Sequence, residues 1–118
     1  MKIHTKIWLE NKDGKLLVGE GRLKIFHAII EHGSMSAASR ELGMSYRAMW
    51  GKVRAIEERL GVKLVRGVAG GVKHGGATLT DEALEFIKLF EAFSEKATLA
   101  VDQLASEMLP KDFPNFNS

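Results

Sequence analysis

The sequence predicts a mainly α-helical fold carrying small β-hairpins, and three observations predict it. Apolar residues recur at helical spacing from Leu23 to Leu60 and again beyond Thr80. Short runs of strand-favouring residues stand on either side of the first block, each pair divided by a turn-forming or glycine-rich stretch. The chain has no cysteine, so no disulfide framework or thiolate metal site is available to it. Its 118 residues and 45% apolar content suit one domain with a helical appendage.

The first element is a half-buried strand: in IHTKIWLE, Ile3, Thr5, Ile7 and Leu9 alternate with His4, Lys6, Trp8 and Glu10. Asn11-Lys12-Asp13-Gly14 is a turn sequence and LLV follows, which completes a hairpin with Trp8 covering the sheet. Glycines 19 and 21 open a helix whose Leu23, Phe26, Ile29 and Ile30 face inward, and Gly33 is its C-terminal cap. Ser34 or Ser36 caps a short second helix with Ala37, Ala38 and Leu42 inward, and Gly43 ends it. Ser45 caps a third helix with an inward stripe of Met49, Val53, Ile56 and Leu60. Two helices joined across a tight glycine turn, the first of them short and alanine-rich, make a helix-turn-helix.

After Gly61 the pattern shifts to the β runs VKLV and ATLT, with RGVAGGVKHGG between them, which is a wing. From Thr80, TDEALEFIKLFEAFSEKATLAVDQLASEML reads as one long amphipathic helix capped by Thr80 and interrupted by Pro110. Its apolar stripe includes Phe86, Phe90, Phe93, Ala97, Val101, Leu104 and Met108, too long for one small domain to cover. A homodimer contact is the natural use of that stripe, with packing inside the chain as the alternative. The fold class is therefore a winged helix-turn-helix followed by a long C-terminal dimerisation helix. Its expected divisions are a winged region with an N-terminal hairpin at 1–80, the dimer helix at 81–109 and a tail at 110–118.

Net charge is only +2, but its distribution is uneven. Residues 45–78 carry seven Lys or Arg against two Glu, a net of +5, whereas 79–118 carry three against eight acids, a net of −5. A basic middle beside an acidic end suits one surface for a polyanion and a second part with another task. The start MKIHTKIWLENKDG lacks the apolar run of a signal peptide, and no stretch has the length of a membrane span, so a cytoplasmic location is expected.

Catalysis is not expected. Histidines 4, 27, 32 and 74 show no metal-ligand spacing, and no serine stands in a nucleophile elbow. GVAGGVKHGGAT has the glycines of a phosphate cradle without the Gly-Lys-Ser/Thr ending of a P-loop. No metal or cofactor is expected.

Tyr46, Arg47, Trp50 and Arg54 lie off the inward stripe of the third helix, in its N-terminal half. In a helix-turn-helix that half enters the major groove. Arg47 suits a guanine edge; Tyr46 and Trp50 suit phosphate, sugar or a thymine methyl. The competing readings are a surface ion pair for Arg47 and packing on the protein's own wing or first helix for Trp50. Ser36 and Ser45 are caps that can also contact phosphate. Arg54 and the wing cations Arg66, Lys73 and His74 suit phosphate or minor-groove contact.

The stretch SMSAASRELGMSYRAMWGKVRAIEERLGVKLVRGVAGGVKHGGATLT resembles the LysR-type winged helix-turn-helix in its Ala-Ala pair, its Ile-Glu-Glu-x-Leu-Gly-Val helix end and its Leu-Thr after the wing. More narrowly it resembles the N-terminal DNA-binding domain of ModE-type, molybdate-responsive transcriptional regulators. The marks are Ser45-Tyr46-Arg47-x-x-Trp50 and Gly70-Gly71-x-Lys73-x-Gly75-Gly76-Ala77-x-Leu79-Thr80, with the leading strand and the GEGR start of the first helix, over roughly residues 3 to 105. Ala83 stands where that pattern often has Gly. The resemblance implies a homodimeric regulator of transcription that binds double-stranded DNA. Such regulators hold molybdate or tungstate in a separate C-terminal β-barrel region, and this sequence stops at Ser118, so neither oxyanion is an expected ligand. Two other classes remain: a winged-helix module that binds a protein through its Tyr-Trp face, and a small-molecule sensor with a pocket at the dimer helix. A steep fall of affinity with salt marks DNA binding against the first, and ligand-dependent thermal stabilisation marks the second.

Overall fold

The computed structural model describes residues 3–68 and 76–109. The wing tip at 69–75, with Lys73 and His74, and the tail at 110–118 lie outside the described residues. The elements run β1 (Leu9–Glu10), β2 (Leu16–Val18), α1 (Glu20–His32), α2 (Met35–Glu41), α3 (Tyr46–Leu60), β3 (Val65–Val68), β4 (Gly76–Leu79) and α4 (Asp81–Met108). This is the winged helix-turn-helix with a long final helix that the residue pattern predicts.

Residues 8–87 form one compact unit. Its core takes Ile25, Phe26, Ala28 and Ile29 from α1, Met35 and Ala38 from α2, and Met49, Val53 and Ile56 from α3. Leu64, Val65, Ala77, Ala83 and Ile87 close it from the wing and the first turns of α4. Phe26, Ile29, Met49 and Ile56 are the largest fully buried side chains, each worth about 1.5–3 kcal/mol of apolar burial. Ala83, where the resemblance favours glycine, buries its methyl in this core. The stripe expected on α1 holds except at Ile30, which is exposed. Ile30 stands about 40° beyond Phe26, outside the edge of the buried arc that Ala28, Ile25, Ile29 and Phe26 span.

The helix ends are formed as their sequence predicts. Gly33 and Gly61 adopt the left-handed conformation, φ 64° and 71°, after α1 and α3. Of the two serines that could cap α2, Ser34 does so: its Oγ accepts from the Ala37 amide at 3.0 Å. Ser45 Oγ accepts from the Ala48 amide at the same distance. Buried Ser39 satisfies its hydroxyl on the Ser36 carbonyl at 2.8 Å. Gly43, φ 65°, makes the turn from α2 to α3.

The wing is anchored by polar contacts that strand periodicity does not reveal. A single Glu57 oxygen accepts from the Leu64 and Val65 amides at 2.8 and 3.2 Å. The ladder therefore begins at Val65 and runs to Val68 rather than over residues 62–65, pairing Val65 with Leu79, Arg66 with Thr78 and Gly67 with Ala77. Thr80, expected as a strand end and cap, leaves the ladder; its Oγ1 donates to the Lys63 carbonyl at 2.7 Å and accepts from the Ala83 amide at 3.1 Å. The Ala77 amide bonds the Gly33 carbonyl at 2.8 Å, tying the wing to the end of α1.

The N-terminal strand is far shorter than expected. Only Leu9 and Glu10 pair with β2, and their register is irregular. A partner of three residues has no backbone left for residues 3–8. Trp8 does not cover a sheet: it is 51% exposed, and its Nε1 donates to Glu10 at 3.0 Å. Residues 3–7 instead join the second compact unit, with α4 from Lys88 onward, where the Thr5 and Thr98 hydroxyls lie 3.2 Å apart. Residues 81–87 group with the winged unit and 3–7 with the later turns of α4.

Candidate nucleic-acid interface

Burial of Met49, Val53 and Ile56 fixes the roll of α3 and turns the opposite arc outward. Arg47, Gly51 and Arg54 are exposed on it, Trp50 is half-buried at its edge, and Tyr46, the first residue of the helix, and its cap Ser45 are exposed at the helix start. Tyr46, Arg47, Trp50, Gly51 and Arg54 together line one open depression in the surface. Tyr46 and Trp50 meet edge to face, ring centroids 6.4 Å apart and planes at 72°. The Arg54 guanidinium stands 5.2 Å above the Trp50 ring. Residues 46, 50 and 54 thus form a ladder of i,i+4 contacts along the helix.

Both readings of Trp50 are met. Its inner side packs against the core, while its ring carries Arg54 and lines the outer depression. Among the described residues no carboxylate pairs with Arg47, Arg54 or Arg66, so the ion-pair reading of Arg47 finds no partner there. Arg66 is exposed on β3, opposite Thr78. Ser36 is half-buried inside α2, where its carbonyl serves Ser39, while Ser34 holds the cap. Lys73 and His74 lie outside the described residues.

Tertiary structure adds two clusters that linear spacing does not show. Arg22, at the start of α1, lies beside Arg59 of α3; burial first, and then the Arg59 charge, hold its pKa below the usual arginine value. Arg59 itself donates to the Leu16 carbonyl. At the far ends of α1 and α2, exposed Glu31, His32 and Glu41 bring their polar atoms within 4.8 Å of one another, and His32 Nε2 lies 2.7 Å from a Glu41 oxygen.

On α4, Phe86, Ala97 and Val101 are half-buried and Phe90 is 5% exposed within the single chain. Phe93 and Leu104 are 60% and 53% exposed, and Leu89, Leu99 and Met108 are exposed as well. The apolar stripe is thus divided between a covered edge and an open one.

A short α2, a capped α3 with a cationic and aromatic outer face, and a two-stranded wing define a winged helix-turn-helix protein. The chain belongs to the bacterial regulatory helix-turn-helix proteins of the lysR family, whose family model matches residues 21–84. It is 39% identical over 75 residues to the molybdenum-pterin-binding protein MopB of Rhodobacter capsulatus, covering 64% of this chain and 28% of that protein. It is 27% identical over 93 residues to the DNA-binding transcriptional dual regulator ModE of Escherichia coli, covering 79% and 36%. Among solved structures, the CbnR DNA-binding domain in complex with DNA matches at 29% identity and a TM-score of 0.53, over 74% of this chain and 94% of that one. The chain spans about a third of the length of the curated relatives it matches.

Proposed function

We propose that this chain binds duplex DNA sequence-specifically, as a homodimer, and regulates transcription in the cytoplasm by binding rather than by catalysis. The observation that carries the reading is the outer face of α3, where Tyr46, Arg47, Trp50 and Arg54 converge on one open depression. A face turned permanently to water would not favour an exposed Tyr46, an outward Arg47 and an Arg54 stacked on an indole. A phosphate-lined groove with base edges at its floor satisfies all of them. The likeness to a DNA-binding domain solved on DNA supports DNA as the partner. Tyr46, Arg47 and Trp50 carry sequence preference; Arg54, Arg66, Lys73, His74, Ser36 in the first turn of α2 and the α3 cap Ser45 add phosphate affinity. Phe86, Phe93, Ala97, Val101 and Leu104 of α4 supply the dimer contact, with Phe90 left out because the chain already covers it. The molybdenum in MopB's name is not carried over, because the aligned residues are 28% of that protein.

The test is selection from a random duplex pool by the purified chain at moderate salt, followed by sequencing. An enriched palindrome with half-sites about one helical turn apart supports a dimeric reader. A pool that stays unenriched, with affinity indifferent to salt, would instead assign the Tyr-Trp face to a protein partner.

A further inference from the structure

Gly51 is the residue of α3 that its own protein does not explain. At about 100° per residue it points almost directly away from the Met49, Val53 and Ile56 stripe, at the crest of the exposed face. Glycine is the poorest helix former after proline, because it fixes the most backbone freedom and shields none of the backbone from water. A mid-helix glycine therefore needs a reason, and the usual reasons are missing. Its φ is not positive, unlike that of Gly14, Gly33, Gly43 and Gly61. Apart from its chain neighbours and the helix's own backbone, no described atom lies within 4 Å of where a Cβ would stand, so no packed neighbour among the described residues requires the space. What does surround Gly51 is the lining of the depression: Arg47 one turn before it, Arg54 just under one turn after it, and Trp50 beside it.

We infer that Gly51 is the close-approach point of the interface, where base edges of the DNA major groove pack directly on the α3 backbone between Arg47 and Arg54. This rests on the proposed DNA-binding function and deepens it. A side chain at this crest would hold the helix away from the groove floor by the thickness of a methyl group or more. The guanidinium of Arg47 would then fall short of the base edge it reads, whereas the long Arg54 stem could still reach phosphate. Glycine at 51 is thus a specificity-determining residue, kept at a cost to helix stability.

The test compares Gly51→Ala and Gly51→Leu with the wild type, using the full chain, the operator enriched from the random pool and an unrelated duplex of equal length. Gly51→Ala is expected to raise Tm by roughly 2–8 °C, as a helical glycine replaced without strain should. It should also weaken operator binding about tenfold, and Gly51→Leu more, while binding to the unrelated duplex stays within twofold. Stability up and specific affinity down is a combination that misfolding cannot produce. Operator binding unchanged in both variants would overturn the inference, and so would a fall in Tm for Gly51→Ala, since the fold itself would then require glycine. An equal loss on both duplexes would place phosphate rather than base edges against residue 51 and overturn it too. A wild-type chain that enriches no sequence would remove the proposed function itself, a result visible before either variant is measured.

Discussion

At the scale of single residues, the two arginines of the α3 face have different neighbours and so different expected roles. Arg54 is held over the Trp50 ring, which fixes its direction and draws it back toward the helix. Arg47 has no such partner among the described residues and is free to reach outward. Replacing Arg47 by Ala should cost about 1–3 kcal/mol on the operator and relax the preference at one base pair. Repeating the pool selection with the variant checks this; a logo unchanged at every position would mean that Arg47 reads no base. Arg54→Ala should weaken all duplexes alike and reduce the slope of log affinity against log salt by about one. If the slope stayed at its wild-type value while one base preference vanished, the two roles would have to be exchanged. Trp50 was the most ambiguous residue in the sequence, because a tryptophan at the edge of a helical stripe can face either way. The structure shows it facing both ways.

At the scale of elements, the helices and the existence of both hairpins were legible, as was β2 at LLV, whereas the bounds of β1 and β3 were not. Each helix carries its own start and stop in the chain: Ser34 and Ser45 as caps, Gly33 and Gly61 in the left-handed conformation, and apolar residues at the helical period between them. Those signals are local, so they survive without knowledge of the fold. Strands need a partner, and a partner is not local. Residues 3–10 alternate as a strand does, yet only Leu9 and Glu10 find backbone to pair with; residues 3–7 group instead with the later turns of α4. The wing ladder is displaced by three residues for a related reason. Glu57, counted in the sequence only as one of two acids in the basic middle, takes the Leu64 and Val65 amides beside the start of the strand. Charge-assisted bonds of this kind are worth about 1.5–3 kcal/mol each before desolvation is counted. Glu57→Ala should therefore destabilise the winged unit by about 2 kcal/mol, read from urea unfolding, with Glu58→Ala near zero as its control. Equal effects at the two positions would show that the Glu57 bonds do not anchor the wing.

At the scale of the whole molecule, the decisive quantity is the open edge of α4. Within one chain Phe90 is covered, but Leu89, Phe93, Leu99, Leu104 and Met108 present their side chains to solvent along the same 28-residue helix. Burying a leucine or phenylalanine removes about 1.5–3 kcal/mol of unfavourable hydration, and a symmetric contact counts each residue twice. Two central residues thus carry a large share of any dimer built on this edge. Phe93→Glu combined with Leu104→Glu would place four carboxylates in the interface while leaving the core of residues 8–87 untouched. The wild type should sediment as a dimer at micromolar concentration and the double variant as a monomer, with α-helix content and the unfolding of the winged unit preserved. Operator binding should then fall far more than single half-site binding, because the second half-site is no longer presented at a fixed distance. A double variant that still sediments as a dimer would move the contact off these residues. A wild type monomeric at all concentrations would leave the α3 face as a reader of one half-site, and the selected sequences would contain no palindrome.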